Sequence, residues 1–382
     1  MYNKRYRISL ISQGQKPVRQ NGNFYWDDIV FYIHEFMKKI ILILLINFQL
    51  LILYSCSTFD GSYYKGPVSD HFNGKEFYNK DSSHSHSTWD LFKFLFFSSK
   101  GDWDEWWNEK PGPKPAERIA GDSIVVTFIN HATFLIQVDS MNILTDPIFS
   151  EVASPVPLIG MERHRPPGIK FEELPQIDIV LVSHNHYDHM DISTLKRLKE
   201  KFNPLFFVPL GNKELMYDEG LNNAIELDWW GEYQFKNKYK ITFVPSKHFS
   251  MRGLNDWDKS LWGGYVLQTA LGPVYFAGDT GFGNHFKQIF EHFGPIRLAL
   301  LPIGPVEPRW FFGDVHISPD EAIKAHKILK SKTSIAMHWG TFSQGSDNML
   351  DAPRQLKILR EKELLNPQEF IVPKHGRGIV IN

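Results

Sequence analysis

The chain has 382 residues, 42% of them hydrophobic, 22% charged and 14% aromatic, a composition typical of one large globular domain with extensions. Its 42 basic and 43 acidic residues give a formal net charge of −1, which argues against a nucleic-acid partner held by general charge attraction. Cys56 is the only cysteine, so an internal disulfide is excluded and the fold must rest on its core and on any metal that it binds.

The N-terminal region has the pattern of a leader. Residues 1–36 show no apolar periodicity, and Met37-Lys38-Lys39 precedes the apolar run 40–54, which is short for a membrane-spanning helix but suits a signal peptide. Leu53-Tyr54-Ser55-Cys56 then resembles the lipobox of bacterial lipoproteins, whose cysteine carries a lipid. We therefore expect an upstream extension over 1–36, a lipoprotein-type signal over 37–56, and a lipid on Cys56 that anchors the protein to a membrane surface of a bacterial cell envelope. The alternative is an uncleaved N-terminal anchor.

A linker is predicted over residues 57–120, which are rich in Ser, Asp, Gly, Pro and aromatic residues. Within it, residues 89–97 could form a short helix that presents apolar side chains to a membrane, or one that packs on the main domain. His84 and His86 are expected to be solvated. The main domain is expected to span residues 121–382.

Three strands are predicted at the start of this domain, over residues 124–129, 134–138 and 142–147, because β-branched and aromatic runs alternate there with turn residues. His131 follows the first strand and Asp146 lies at the end of the third. Both could orient metal ligands, and capping or core hydrogen bonds are the equal alternative.

Residues 150–170 are predicted to form a long loop, and loops of that length are usually functional or disordered. Arg163 and Arg165 lie in this segment. They could bind a phosphate, since guanidinium groups match phosphate oxygens, and a solvated charge cluster is the alternative.

The strongest signal is Ser183-His184-Asn185-His186-Tyr187-Asp188-His189-Met190-Asp191, which follows the apolar run 177–182. Histidines two residues apart cannot share a helix face, so this HxHxDH spacing requires an extended loop that leaves a strand. A predicted helix over 193–202 and a strand over 205–208 continue the alternation. Imidazole and carboxylate groups are ligands for a borderline cation such as zinc, so the motif predicts a metal site.

Three further candidates follow later predicted strands, namely His248, Asp279 and His338. One such residue alone would be dismissed, but strand ends in layered α/β proteins gather ligands at one edge of the sheet. The donors then number seven, too many for one zinc, and they suit two cations about 3.5 to 4 Å apart with a bridging carboxylate and a water. The full set is His184, His186, Asp188, His189, His248, Asp279 and His338.

These motifs resemble the metallo-β-lactamase superfamily of binuclear hydrolases. Other stretches resemble the N-acyl-phosphatidylethanolamine phospholipase D family and its bacterial relatives, with similarity from about residue 69 to the end of the chain. These are residues 69–79 (SDHFNGKEFYN), 130–133 (NHAT), 144–150 (LTDPIFS), 276–281 (FAGDTG), 314–322 (DVHISPDEA) and 337–342 (MHWGTF).

The resemblance implies an α/β (α+β) fold of the αββα four-layer sandwich type and two Zn²⁺ ions per chain, with iron or manganese as alternatives. The first metal would be held by His184, His186 and His248. The second would be held by Asp188, His189 and His338, with Asp279 bridging the two.

The resemblance also implies a zinc-dependent phosphoric diester hydrolase of phospholipase D type that acts on N-acyl-phosphatidylethanolamine-like phospholipids. Asp188, Asp279 and His316 would be catalytic, and His316, Arg163 and Arg165 would bind the substrate phosphate. A structural histidine at a helix entry, beside a capping box, is the alternative for His316.

Two other functions remain open at this point. One is a different binuclear metallo-hydrolase, such as a sugar-phosphate lactonase or another ester or amide hydrolase, since such metals polarise carbonyl groups as well. The other is a metal-binding lipoprotein without turnover. The sequence is also compatible with a homodimer.

Overall fold

The computed structural model describes residues 33–34, 36–43, 64–80, 88–156, 159–236, 238–253 and 255–381. The chain divides into two compact units, Met1–Phe59 and Asp60–Asn382. In the first unit, residues 36–43 are helical. No helix in the described ranges is both long and apolar enough to span a bilayer. The lipobox with Cys56 and the pair His84 and His86 lie outside the described residues.

Two seven-stranded sheets form the centre of the second unit. The strands of the first sheet lie in the order β16 (Gly378–Ile381), β1 (Ile124–Asn130), β2 (Thr133–Val138), β3 (Met141–Thr145), β6 (Ile179–Leu181), β7 (Leu205–Pro209) and β8 (Ala224–Leu227). Neighbouring strands pair antiparallel from β16 to β3 and parallel from β3 to β8.

The strands of the second sheet lie in the order β15 (Phe370–Ile371), β14 (Thr333–Met337), β13 (Leu298–Pro302), β12 (Gly272–Phe276), β11 (Gly264–Thr269), β10 (Tyr239–Val244) and β9 (Glu232–Phe235). This sheet is also mixed, with parallel pairing from β15 to β12 and antiparallel pairing from β12 to β9. A separate hairpin pairs β4 (Val152–Val156) with β5 (Ile159–Glu162).

Helices cover the outer faces of the two sheets. The described helices are α1 (Thr88–Phe97), α2 (Ile192–Phe202), α3 (Lys213–Asp218), α4 (His285–Phe293), α5 (Arg309–Phe312), α6 (Pro319–Ile328) and α7 (Asp351–Lys362), with a short 3₁₀ turn over Phe171–Glu173. In the first sheet, Phe206 packs with Leu195 of α2 whereas the neighbouring Phe207 faces the other sheet. Because successive strand residues point to opposite faces, apolar residues at both positions produce a layer buried on both sides. The αββα sandwich is confirmed.

Most predicted strands are present within one or two residues of their expected bounds, but the loop predicted over residues 150–170 is wrong in part. The hairpin of β4 and β5 lies in it. Pro155 lies in β4, and proline is tolerated in a strand of a small, isolated pair.

Three glycines bring distant parts of the chain into backbone contact. Gly112 donates its N–H to the carbonyl of Gly168 at 2.7 Å, and Gly376 donates to Phe128 at 2.8 Å. A Cβ atom on Gly112 would lie 1.7 Å from the Gly376 oxygen, and one on Gly168 would lie 2.4 Å from the Gly376 nitrogen. Only glycine allows this approach. We call this contact the glycine joint.

The amino-terminal segment, residues 64–80, packs on the same unit. Phe72 and Phe77 are buried in the larger hydrophobic core of this unit, and the N–H of Phe77 donates to the carbonyl of Asp258 at 2.8 Å. His71 bridges Asp70 and Asp228, at 2.7 Å from each carboxylate. An ion pair and two buried aromatic rings therefore hold this segment on the domain.

Candidate metal centre

Chain segments that follow strands of both sheets carry the candidate ligands to one place. The motif loop follows β6 of the first sheet, while His248, Asp279 and His338 follow β10, β12 and β14 of the second. The seven side chains fall into overlapping groups of possible metal ligands, although they are up to 154 residues apart in sequence, and all except the half-buried His186 are buried.

His184, His186 and His248 form the first cluster. Nε2 of His184 lies 2.8 Å from Nδ1 of His186, which in turn lies 3.3 Å from Nε2 of His248. Ligand nitrogens around a tetrahedral zinc with bonds of about 2.05 Å are about 3.3 Å apart. Three ring nitrogens turned toward each other at this spacing fit one shared cation.

Asp188, His189 and His338 form the second cluster. Nε2 of His189 lies 3.2 Å from Nε2 of His338 and 3.4 Å from Oδ2 of Asp188. Two imidazoles and a carboxylate oxygen make a donor set suited to zinc or iron, since both accept nitrogen and oxygen ligands. His131 lies within the same group of possible ligands.

Asp279 lies between the two clusters. Its Oδ2 is 3.1 Å from Nε2 of His189 and 3.0 Å from Nε2 of His338, and 3.8 Å from Nε2 of His248. Its Oδ1 is buried and has no hydrogen-bond partner in the described part of the chain. A buried carboxylate oxygen without a partner is costly unless a cation satisfies it. The side chains therefore fit the binding of metal, with Asp279 between the two clusters.

Neighbouring groups fix which ring nitrogen faces the centre. Nδ1 of His248 lies 3.0 Å from the Val315 carbonyl, which accepts its proton and leaves Nε2 free as a ligand. Nδ1 of His189 lies 2.6 Å from Oδ2 of Asp146. Such partners set the tautomer and orientation of a metal-binding imidazole.

His131 and Asp146 both contact candidate ligands, which favours the role of orienting metal ligands over that of capping or core hydrogen bonding. Nε2 of His131 lies 2.8 Å from Oδ2 of Asp188, and the His131 ring is 3.9 Å from that of His338. Both residues have positive φ angles, 44° and 30°, and such backbone conformations are often stored at functional sites.

Sequence patterns gave no indication of two other contacts at the centre. Gln344 donates from Nε2 to Oδ2 of Asp188 at 2.7 Å, and Thr341 accepts the N–H of His131 at 2.9 Å. Thr341 lies within the Met337–Phe342 stretch and Gln344 follows it, but a single glutamine or threonine in a loop has no spacing that marks its contact.

The electrostatics of the cluster favour cation binding. Burial lowers the pKa of His186 to about 3 and that of His248 to about 4, so both rings are neutral at pH 7 and able to coordinate. Burial alone would raise the pKa of Asp279, but His189 and His338 lower it well below its ordinary value. The neutral rings of His186 and His248 and the ionised Asp279 are in the form that binds metal. Burial alone would lower the pKa of His189, but Asp279, Asp188 and Asp146 raise it well above its ordinary value, so this ring would release a proton when it binds metal.

His316 lies at the rim of this centre. Its Nδ1 is 3.9 Å from Oδ2 of Asp279, it is buried, and that nitrogen has no hydrogen-bond partner in the described ranges. Burial lowers its pKa well below the ordinary value, so the ring is neutral. The capping box is also present, since the Ser318 N–H donates to Glu321 at 2.9 Å, yet it does not use the His316 ring.

Arg163 and Arg165 do not form a solvated charge cluster, because their exposed fractions are only 3% and 1%. Arg163 donates to the carbonyls of Ser150 and Ile148. The guanidinium of Arg165 lies over the Trp339 ring at 4.8 Å. Burial lowers the pKa of both arginines to about 10, so both stay charged at pH 7. Binding of phosphate by either one stays a prediction.

Asp191, the last residue of the motif, caps helix α2. Its carboxylate accepts the N–H of Thr194 at 3.2 Å. An acidic residue at this position satisfies a free N–H group and complements the helix dipole. Asp191 therefore serves at the start of this helix.

A shallow surface depression lies beside His338, and its wall includes Trp103 from the predicted linker. Other lining residues are Trp339, Phe342, Gln344 and Met349.

Comparisons with known proteins agree with this geometry. Residues 141–339 match the model of the beta-lactamase superfamily domain. The N-acyl-phosphatidylethanolamine-hydrolyzing phospholipase D 1 of Caenorhabditis elegans is 40% identical over 272 residues, which cover 67% of this chain and 75% of that protein. A metal-dependent hydrolase of Methanopyrus kandleri is 31% identical over 252 residues, covering 64% of this chain and 97% of that protein. An isothiocyanate hydrolase from Delia radicum gut bacteria shares the fold, with a TM-score of 0.55 at 20% identity over 67% of this chain and 98% of that one.

A double-sheet sandwich with two facing ligand clusters and a carboxylate between them defines a metal-dependent hydrolase. The chain belongs to the metallo-β-lactamase superfamily, as its motifs indicated.

Proposed function

We propose that this protein is a phosphodiesterase of phospholipase D type that acts on N-acyl-phosphatidylethanolamine-like phospholipids and uses two zinc ions, with iron or manganese as alternatives. The observation that supports the proposal is the position of Asp279 between two clusters of candidate ligands, in a chain 40% identical to an enzyme of that activity. Paired metals suit in-line displacement at phosphorus because they stabilise the attacking and the leaving oxygen together.

The chain's own residues have distinct parts in this reaction. Bound metals would lower the pKa of a water molecule and neutralise charge on the phosphoryl group. Asp188 and Asp279 would serve as metal ligands through their ionised carboxylate oxygens. Neutral His316 donates a hydrogen bond to a phosphoryl oxygen, which stabilises the negative charge that develops there.

Contact with a lipid surface is a second part of the proposal. Trp89, Phe96 and Phe97 of α1 have exposed fractions of 66%, 70% and 76%. The same helix also packs on the domain, since Phe94 stacks on Phe311 with ring centres 4.4 Å apart. Exposed aromatic side chains on an anchored helix suit a membrane interface. A lipid on Cys56 would hold the protein at such a surface in the cell envelope.

The test is hydrolysis of N-acyl-phosphatidylethanolamine in mixed micelles in water enriched in ¹⁸O. We expect N-acylethanolamine and phosphatidic acid as products, with the label in phosphatidic acid because the water attacks phosphorus. His316→Gln should lower kcat by about a hundredfold, since one donor to a developing anion is worth about 3 kcal/mol.

A matched control is His292→Gln, which changes an exposed histidine of α4 and should leave the rate unchanged. Turnover of a lactone or simple ester without release of N-acylethanolamine would show that the protein is a different binuclear hydrolase. Two bound metals without turnover of any of these substrates would support the metal-binding lipoprotein instead.

A further inference from the structure

Asn79 contacts the backbone of the candidate ligand His248. Its Nδ2 donates to the His248 carbonyl at 2.8 Å, and its Oδ1 accepts the His248 N–H at 3.2 Å. One amide side chain thus satisfies both backbone polar groups of a fully buried residue that is 169 positions away in the chain. Buried backbone groups need such partners, so the loop at His248 depends on Asn79 for its hydrogen bonding.

The amide of Asn79 is itself held in one orientation. Trp262 donates from Nε1 to Oδ1 of Asn79 at 3.0 Å, and that indole is fully buried. With Oδ1 fixed as an acceptor by two donors, Nδ2 must face the His248 carbonyl, and a flipped amide would break all three bonds.

Three separate parts of the chain determine where the His248 ring lies. Val315 holds Nδ1 of the ring, and Thr280 accepts the N–H of Lys247 at 3.0 Å. Asn79 supplies the third restraint, from the amino-terminal segment. That segment is fixed in turn by Phe72 and Phe77 and by the ion pair of His71.

We propose that Asn79 is a positioning residue of the metal centre, which makes the amino-terminal segment a structural part of the first cluster. This segment lies outside residues 141–339, which match the superfamily domain. Partners that orient a metal ligand typically change metal affinity about ten- to hundredfold when they are removed. The effect falls on the cluster of His184, His186 and His248 and leaves the other one intact. The proposal does not depend on the identity of the substrate.

The test is a titration of the metal-free full chain with Zn²⁺ in competition with a chromophoric chelator. For Asn79→Ala and Asn79→Asp, we expect one of two zinc equivalents to bind about ten- to hundredfold more weakly and the other to keep its affinity. Asn79→Asp keeps both acceptor contacts and loses only the donor to the His248 carbonyl. Activity on a soluble phosphodiester should return at high zinc concentration.

Asn73→Ala is the matched control in the same segment. Asn73 accepts the N–H groups of Lys75 and Glu76, each at 2.8 Å, and its replacement should leave both zinc affinities unchanged. Thermal unfolding of each metal-free variant separates ligand positioning from loss of fold. Wild-type affinity for both equivalents in the Asn79 variants would overturn the proposal. So would loss of the metal-free fold in both variants, since Asn79 would then support the domain as a whole.

Discussion

At the scale of single residues, the centre depends on side chains that hold the candidate ligands in place. Asp146 accepts the backbone N–H of Ser183 at 2.7 Å and also contacts Nδ1 of His189 at 2.6 Å. It thereby holds both the start of the motif loop and one ligand ring. A fully buried carboxylate without hydrogen-bond partners would be unfavourable, and these two contacts supply the partners that Asp146 needs.

Asp146→Asn should therefore weaken the second cluster although it changes little in volume. The amide lacks the charge that orients His189, and we expect metal affinity to fall about ten- to hundredfold. Metal content after dialysis and the rate of bis-p-nitrophenyl phosphate hydrolysis measure the effect. Asp122→Asn, at an exposed position, is the control and should change neither. An Asp146→Asn variant that keeps both metals would show that His189 needs no such support.

At the scale of elements, strand ends explain why the candidate ligands, with His131 and Asp146 beside them, could be predicted, whereas supports from distant loops could not. A histidine or aspartate after an apolar run is visible in the sequence, and the layered fold determines where strand ends meet. Contacts such as Gln344 to Asp188 and Asn79 to His248 join loops more than 150 residues apart. No local periodicity encodes such pairs. Burial of Arg165 escaped prediction for the same reason, since the aromatic rings that cover it come from other loops.

The ion pair of the amino-terminal segment should make its stabilising effect depend on pH. Burial alone would lower the pKa of His71, but hydrogen bonds to Asp228 and Asp70 raise it overall. A raised pKa in the folded state means that the contribution is complete below the unfolded value of about 6.5 and is lost as pH rises through the folded value.

His71→Gln should accordingly destabilise the protein by ~1 kcal/mol at pH 5.5, a modest value because both carboxylates are partly exposed. The loss should be smaller at pH 9, because the charge contribution of His71 is lost as pH rises through its raised pKa. Urea unfolding at both pH values measures the difference. His292→Gln again serves as the control. A loss in stability that is equal at the two pH values would mean that packing against Trp229, and not charge, is what His71 contributes.

At the scale of the whole molecule, α1 presents two different faces. Phe94 stacks on Phe311 and Lys93 lies over the Trp310 ring at 4.5 Å, while Phe96 and Phe97 point into solvent. Both alternatives considered from the sequence, packing and presentation of apolar side chains, thus have support in one element. The apolar and aromatic composition indicated the helix itself. Which of its side chains are covered depends on contacts with α5, and no local sequence pattern indicated those contacts.

The double variant Phe96→Ser/Phe97→Ser should reduce binding of residues 60–382 to phospholipid vesicles by about tenfold, because less apolar area enters the interface. Co-sedimentation with vesicles of phosphatidylethanolamine and phosphatidylglycerol measures this. Leu364→Ser removes an apolar side chain that is 91% exposed elsewhere and should have no effect. Equal binding by all three proteins would remove α1 from the proposed membrane contact.

The glycine joint limits how the loops around the sandwich can vary. Gly112, Gly168 and Gly376 come from the predicted linker, the segment after the hairpin and the turn before the last strand, and their backbones touch. A side chain on any one of them would separate the other two segments as well, so no change within a single loop can compensate for it. These three regions look independent in the sequence, but a change in the backbone of one requires a matching change in the other two. An insertion in any of them must keep the backbone contacts of Gly112, Gly168 and Gly376.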